Sequence, residues 1–302
     1  MIRTLALSIL LLTVVPVSAR AAPPTVIVVV DAGHGGTAQG AVGVTGALEK
    51  RITLRAAKAL EQALRKQVGL KVVMTRTTDT YLTLSERVRR ANRSGGHLFV
   101  SLHCNASADH KQQGFEAFVL SPAGLEQQAR PLATGPLTVE AALQTQQPRR
   151  LALSATLADL GRRGLRRRSV AFGRRLVTQL SRSLGATRSR GLQQARFDVL
   201  RGLGMPGVLV EMGFLDHPVE GKQVVTRRYL LRVVHAVTQA VLGHGRRFGL
   251  LPGREAAKAG GTPGAAPTNP RQHRRRDRRR PAPTRDQQLF LKPEVAVRNH
   301  SA

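Results

Sequence analysis

The chain has 302 residues with a formal net charge of +30 at pH 7, and its hydrophobic content of 41% is enough for one large folded domain with appended segments, so a wholly disordered protein is excluded. It contains eight Phe, two Tyr and no Trp, which argues against a broad polysaccharide cleft or a platform on which nucleic-acid bases stack. A single cysteine, Cys104, excludes an intramolecular disulfide and any metal site built from several cysteines.

The first 22 residues have the pattern of a secretory signal peptide. Arg3 gives a basic start, residues 5–17 form an apolar run, and the small residues Ala19 and Ala21 are typical of a cleavage site. The apolar run is shorter than the roughly 20 residues that a membrane-spanning helix needs, although an uncleaved anchor is the alternative. We therefore expect residues 1–22 to direct export, and an exported basic protein is not expected to bind nucleic acid.

Residues 25–249 alternate β-rich runs with amphipathic helical patterns. In chain order the predicted elements are a strand at 25–31, a helix at 49–68, a strand at 71–76, a helix at 84–93, strands at 98–103 and 114–121, a helix at 169–184, a strand at 207–214 and a helix at 229–242. This alternation predicts an α/β domain with a single mixed, mostly parallel sheet flanked by helices on both faces. In such sheets ligands bind beyond the carboxyl ends of the strands.

Four residues with metal or acid–base chemistry lie near these strand ends. The first strand closes on a glycine-rich turn that contains His34, and Glu49 opens the helix after that turn. The third strand closes on His103, and the last strand carries Glu211 in an otherwise apolar run. We expect the two histidines and the two carboxylates to converge on one edge of the sheet.

Taken singly, most of these residues also have a purely structural interpretation. His34 could be a turn residue, His103 a hydrogen-bonded core histidine, and Glu49 an acid favoured by a helix N-terminus. Glu211 differs, because an ionised carboxylate in an apolar strand costs several kcal/mol unless a cation offsets its charge. Cys104 directly follows His103 in the strand and is expected on the opposite face, as a core residue rather than a ligand.

Four motifs of the domain resemble those of a known enzyme family. They are DAGHGG (31–36), GALEK (46–50), SLHCNA (101–106) and VLVEMGF (208–214). In this order and spacing they resemble the zinc-dependent N-acetylmuramoyl-L-alanine amidases of the amidase-3 type. Residues 75–92 and 195–218 follow the same family's pattern, so the resemblance covers nearly the whole domain.

The resemblance implies one zinc ion bound by His34, Glu49 and His103, with Glu211 as the catalytic carboxylate. Two imidazoles and one carboxylate leave a fourth zinc position open for water, as in catalytic rather than structural zinc sites. The implied reaction is hydrolysis of the amide bond between N-acetylmuramic acid and the L-alanine of the peptidoglycan stem peptide, in the periplasm or the extracellular cell-wall space. Its implied role is cell-wall remodelling or daughter-cell separation.

Two further residues of these motifs, Asp31 and Asn105, are candidates to orient the metal ligands through hydrogen bonds. Each could equally be a turn former.

A long insertion separates the strand that ends near residue 121 from the helix predicted at 169. Its extent, residues 122–168, far exceeds the roughly 4 to 6 residues that commonly connect elements in a compact domain. The resemblance implies a regulatory helix here, since related amidases block the zinc with an insertion until an activator protein displaces it, and residues 151–160 resemble part of it. Glu140 is the nearest candidate to block the zinc, with Glu126 behind it. A mobile basic surface loop is the alternative.

The last segment, residues 250–302, is predicted to be a disordered basic tail. It is rich in Gly, Ala and Pro and then carries an arginine run at 271–280, with no apolar periodicity that could build a core. The run could contact anionic envelope polymers, or it could be solvated without a partner.

Two other functional classes fit parts of this pattern. Another zinc peptidase of related α/β architecture would use similar ligands. A non-enzymatic basic protein that binds the cell envelope would account for the charge but would leave Glu211 without a role.

Overall fold

The computed structural model describes residues 25–129 and 148–251, apart from the side chains of residues 126–129 and 148–156. The predicted signal peptide at 1–22, Glu140, and the predicted tail beyond residue 251 with its arginine run at 271–280 lie outside the described residues. So does the side chain of Glu126.

The described chain alternates strands and helices for most of its length. The elements are β1 (Val26–Ala32), α1 (Glu49–Arg65), β2 (Leu70–Met74), α2 (Leu84–Arg93), β3 (Leu98–Asn105), β4 (Phe115–Leu120), α3 (Pro122–Ala129), α4 (Pro148–Leu184), β5 (Ser189–Ala195), β6 (Gly207–Phe214), α5 (Glu220–Val224) and α6 (Arg227–Arg247). Short 3-10 turns precede β5 and β6 at Ala186–Arg188 and Asp198–Leu200.

The strands form one sheet in the order β2-β1-β3-β6-β4-β5. The first four of these strands are mutually parallel, β4 runs antiparallel to β6, and β5 runs parallel to β4. The mixed, mostly parallel sheet predicted from the sequence is therefore confirmed. The carboxyl ends of β1, β3 and β6 meet at one edge of the sheet, where the antiparallel β4 begins.

Helices and loops cover both faces of the sheet, as predicted. Successive residues of β1 point to opposite faces, so that Val28 and Val30 join the larger apolar cluster while Val29 joins the smaller one. The larger cluster is closed by α1, α4 and α6, and the smaller one by α2 and the residues around Leu200. These two clusters fix the strand ends that carry the site.

The structure differs from the predicted elements in several places. Helix α3, which lies in the predicted insertion, and the short helix α5 were not predicted. Strand β5 was not predicted, because it is a partly exposed edge strand whose sequence SRGLQQA lacks an apolar alternation. Helix α4 begins at Pro148 instead of residue 169. Residues 148–168 of the predicted insertion therefore form one continuous helix with the predicted helix at 169–184. Helix α1 ends at Arg65, before the predicted end at residue 68.

Within the described ranges, no helix combines the length and the apolar character needed to cross a membrane.

Candidate metal centre

A glycine-rich turn carries His34 from the end of β1 towards the end of β3. His34 itself has a positive φ of 58°, and the backbone of Gly33 before it lies against the His103 ring. A Cβ atom on Gly33 would lie 2.3 Å from Cε1 of His103, and one on Gly40 would lie 2.5 Å from Oε2 of Glu49. Only glycine allows the backbone to approach the two side chains this closely.

His34, Glu49 and His103 meet at this edge of the sheet. Oε2 of Glu49 lies 3.1 Å from Nε2 of His34, and Oε1 lies 3.1 Å from Nδ1 of His103. One ligand atom from each of the three residues lies within 4.8 Å of the other two. The structure thus brings the three predicted ligands together, and their side chains could hold one metal ion.

The Glu49 carboxylate is held by backbone as well as by histidine. It is the first residue of α1, where the helix N-terminus favours negative charge. Its oxygens accept hydrogen bonds of 2.9 Å from the backbone N–H groups of Ala41 and Cys104. Burial alone would raise the pKa of Glu49, but the hydrogen bonds with His103 and His34 outweigh it and lower the pKa below its ordinary value. Glu49 is therefore an ionised carboxylate held in a fixed position, which suits it to binding a cation.

Glu211 lies beside the three residues, on the neighbouring strand. It is the register partner of His103 between β3 and β6, and it is only 8% exposed. Its Oε2 atom is buried and has no hydrogen-bond partner among the described residues. Burial raises the pKa of Glu211 well above its ordinary value, and the nearby carboxyl groups of Glu49 and Glu116 raise it further. A buried carboxyl group with a free oxygen is suited to proton transfer.

Asp31 does not contact a metal ligand through its side chain. It accepts hydrogen bonds from Thr75, from Ser101 at 2.7 Å and from Nη1 of Arg87 at 2.9 Å. Burial would raise the pKa of Asp31, but the Arg87 charge and the two hydroxyl donors lower it. Asp31 is linked through Arg87 to the turn that carries His34, and its role in orienting the metal ligands stays a prediction.

Two buried arginines hold the backbone of the glycine-rich turn. Arg87 donates to the carbonyl oxygens of Ala32 and His34, at 2.6 and 2.7 Å. Arg76 donates to the carbonyl oxygens of Ala32 and Gly33, at 2.9 and 2.8 Å. Three successive carbonyl groups are thus fixed, which orients His34 towards Glu49.

Sequence reasoning missed both arginines as functional residues. The signal was present for Arg87, because it lies four residues before Ala91 on the buried face of α2, a position where an unpaired arginine is not tolerated. A capping box formed by Thr83 and Glu86 starts this helix and so places Arg87.

Asn105 also contacts a residue that the sequence did not single out. Its Nδ2 atom donates to Oε1 of Glu116 at 2.8 Å, and its Oδ1 atom accepts from the backbone N–H of Ala106. Glu116 is the register partner of Glu211 between the antiparallel strands β4 and β6. Burial raises the pKa of Glu116, while the charge of Arg190 opposes this rise. Asn105 therefore belongs to the surroundings of Glu211 instead of those of the histidines.

Comparison with known proteins shows which family the chain is similar to. The family model for N-acetylmuramoyl-L-alanine amidase, Amidase_3, matches residues 28–242. The chain is 30% identical over 220 residues to the N-acetylmuramoyl-L-alanine amidase AmiA of Escherichia coli strain K12, an alignment that covers 72% of this chain and 75% of AmiA.

Solved structures of similar amidases have the same fold. The N-acetylmuramoyl-L-alanine amidase of Clostridium difficile 630 is 27% identical with a TM-score of 0.55, over 73% of this chain and 96% of that one. The amidase AmiC2 of Nostoc punctiforme is 25% identical with a TM-score of 0.56, over 74% of this chain and 99% of that one. The family match spans most of the chain and includes His34, Glu49, His103 and Glu211. The resemblance found in the sequence is confirmed: this chain belongs to the Amidase_3 family of N-acetylmuramoyl-L-alanine amidases, which are hydrolases.

Proposed function

We propose that this enzyme hydrolyses the amide bond between N-acetylmuramic acid and the L-alanine of the peptidoglycan stem peptide, using one zinc ion bound by His34, Glu49 and His103. The observation that carries the proposal is the close grouping of these three side chains beside a buried carboxyl group, Glu211, with an unpaired oxygen.

The donor set fits zinc. Two imidazole nitrogens and one carboxylate oxygen form a common ligand set of catalytic zinc sites, which leave a further position for water or substrate. Oε2 of Glu49 and Nε2 of His34 lie 3.1 Å apart, close to the roughly 3.3 Å between tetrahedral ligands at about 2.0 to 2.1 Å from zinc. One donor atom from each of the three residues lies within 4.8 Å of the other two. When bound, zinc would polarise the amide carbonyl and make water a stronger nucleophile.

Glu211 is proposed as the general base and acid. Its unpaired Oε2 atom is available to accept the proton of the attacking water, and the resulting acid can return that proton to the leaving nitrogen of L-alanine. The raised pKa of Glu211 makes its carboxylate a stronger base towards the proton of water.

The residues behind the turn have a positioning role in this proposal. Asp31 holds Arg87, and Arg87 together with Arg76 fixes the carbonyl groups on either side of His34. A fixed turn keeps the His34 ring aimed at the ligand position before the metal arrives, which lowers the conformational cost of binding it.

The place of action and the partners are part of the same proposal. A cleaved signal peptide at residues 1–22 would deliver the enzyme to the periplasm or the extracellular cell-wall space, where peptidoglycan lies. Control by an activator protein acting on residues 122–168 remains a prediction, and so do the blocking roles of Glu140 and Glu126. Contact of the arginine run at 271–280 with anionic envelope polymers also remains a prediction.

The decisive experiment is digestion of purified peptidoglycan followed by mass spectrometry of the products. The proposal predicts release of intact stem peptides with a free L-alanine amino terminus and glycan strands without peptides. The matched control is the Glu211→Gln variant, which should release neither. Products cut within the stem peptide would instead indicate a peptidase, and binding without any products would indicate an envelope-binding protein.

A further inference from the structure

A row of polar side chains crosses the sheet at the edge that carries the metal centre. His103 of β3 and Glu211 of β6 are register partners, and so are Glu211 and Glu116 of β4. Register partners on neighbouring strands point to the same face, and neighbouring strands lie about 4.8 Å apart. Arg190 of β5 continues the row, since its Nε atom lies 3.3 Å from Oε2 of Glu116. Arg190 therefore lies about two strand spacings, or roughly 10 Å, from Glu211.

Contacts from three sides hold the Arg190 guanidinium in place. Nε donates to Glu116, Nη1 donates to Oε1 of Gln112 at 3.0 Å, and Cζ lies 5.2 Å from the centroid of the Phe214 ring. The Arg190 side chain is nevertheless 38% exposed, whereas that of Glu116 is 7% exposed. A guanidinium has five N–H donors, so the contacts made within the described residues leave donors on Nη2 for a ligand.

Four other basic side chains near this edge are engaged elsewhere. Arg76 and Arg87 are buried and donate to the turn that carries His34. Lys50 pairs with Asp79 at 2.9 Å, and Arg188 donates to Gln223 at 2.8 Å. Arg190 combines exposure, rigid support and a place in the row that contains Glu211, which suits it to a planar anion such as a carboxylate.

The substrate of the proposed function carries a carboxylate at a matching distance. In peptidoglycan the residue after L-alanine is a D-glutamate linked through its γ-carboxyl group, so its α-carboxylate is free unless it has been amidated. That group lies two residues from the bond that is cleaved, or about 7 to 8 Å along an extended chain at 3.8 Å per residue. The difference between this distance and the roughly 10 Å from Glu211 to Arg190 is a few ångströms, which is within the reach of an arginine side chain.

We propose that Arg190 binds the free α-carboxylate of the second stem residue and so makes the enzyme prefer an acidic residue over an amidated one there. This inference rests on the proposed function, because it fixes the reacting bond next to Glu211. Glu116 acts through Arg190 as a positioning residue, holding the guanidinium by a charge-assisted hydrogen bond.

The test compares two synthetic peptidoglycan fragments that differ only in this group, a free α-carboxylate or its amide. The parent enzyme should show a kcat/KM about tenfold or more higher for the acid, mostly through KM, because a hydrogen bond between charged groups is lost with the amide. Arg190→Gln should lower kcat/KM for the acid by a similar factor and leave that for the amide nearly unchanged. Arg190→Lys should recover part of the preference.

Arg196→Gln is the matched control, since Arg196 is exposed and follows β5 at the opposite end of the strand. It should behave like the parent on both fragments. Equal kcat/KM of the parent for acid and amide would overturn the inference without any variant, and an equal loss on both fragments in Arg190→Gln would also contradict it. Failure of the parent to release stem peptides from whole peptidoglycan would instead reject the proposed function.

Discussion

Glu49 and Glu211 are two buried carboxyl groups at the same edge of the sheet, and the regions around them differ. At the start of α1, both oxygens of Glu49 accept backbone N–H groups and lie within 3.1 Å of histidine nitrogens. In the carboxyl-terminal half of β6, Oε2 of Glu211 has no partner in the described part of the chain, and two other carboxyl groups lie nearby. The pKa of Glu49 is lowered and that of Glu211 is raised.

Hydrogen-bond partners, more than burial, therefore separate the two roles. Burial raises the pKa of both groups, but only Glu49 has enough donors to reverse the effect. An ionised carboxylate beside two imidazoles suits a metal ligand, and a carboxyl group with an unpaired oxygen and a raised pKa suits proton transfer. The following predictions test this division of roles.

The largest effect is expected from His103→Ala. Loss of one of three ligands should remove the zinc and lower the rate of peptidoglycan hydrolysis by about three orders of magnitude or more, since the metal supplies most of the activation of water and carbonyl. Zinc content by elemental analysis and hydrolysis rate should be measured together. His235→Ala, at an exposed position of α6, is the control and should retain both. Full zinc content with normal activity in His103→Ala would reject the ligand assignment.

Arg87→Lys should weaken metal binding by about tenfold, because lysine keeps the charge next to Asp31 but cannot donate to both turn carbonyls. Titration with zinc in a chelator-buffered solution measures this affinity. The matched control is Arg90→Lys, since Arg90 lies in the same helix and donates to the carbonyl of Thr75 away from the turn. Equal zinc affinity of Arg87→Lys and the parent would show that the turn does not need the arginine.

The metal-free protein should show opposite pH effects for the two carboxyl groups. The lowered pKa of Glu49 means that its stabilisation is complete above its ordinary value of 4.5 and is lost as the pH falls below it. The raised pKa of Glu211 means that its contribution is present in acid and is lost as the pH rises above 4.5. At pH 7, Glu49→Gln should therefore be less stable than the parent and Glu211→Gln more stable, each by about 1 to 3 kcal/mol.

Thermal unfolding between pH 2 and pH 7 with a chelator present measures both differences. The gap between Glu211→Gln and the parent should widen as the pH rises, whereas the gap between Glu49→Gln and the parent should close as the pH falls. Parallel curves for all three proteins would mean that the two carboxyl groups have the same protonation behaviour.

The smallest effect is expected from Cys104→Ala. Cys104 is buried in the larger apolar cluster, and burial raises the pKa of its thiol well above its ordinary value. Its backbone N–H group holds Glu49, a contact that alanine preserves. The substitution should cost about 1 kcal/mol of stability through the small cavity and leave zinc content unchanged. Loss of zinc in this variant would indicate that the Cys104 thiol is a zinc ligand.

The sequence predicted the grouping of His34, Glu49, His103 and Glu211 better than it predicted the surroundings of Glu211. His34, His103 and Glu211 lie at the ends of strands whose apolar runs are clear, and Glu49 opens a helix with a strong apolar stripe. Local patterns therefore located all four residues, and the parallel topology brought them together.

The contacts of Asp31, Arg87, Glu116 and Arg190 depend on tertiary structure. Asp31 and Arg87 are 56 residues apart, and no local pattern links them. Glu116 faces Glu211 only because β4 runs antiparallel to β6, and Arg190 reaches Glu116 only through the edge strand β5, which lacks an apolar alternation. Pairing between distant strands is set by packing across the whole sheet, so single-residue signals do not reveal it.

The most direct test of the central claim measures zinc content and hydrolysis rate in Glu49→Gln and Glu211→Gln side by side. Glu49→Gln should lose zinc and activity together. Glu211→Gln should keep one zinc per chain but lose about 10²-fold to 10⁴-fold in rate, because the amide cannot accept the proton of water. Normal turnover in Glu211→Gln, or one zinc per chain and normal turnover in Glu49→Gln, would contradict the assignment of the two carboxyl groups.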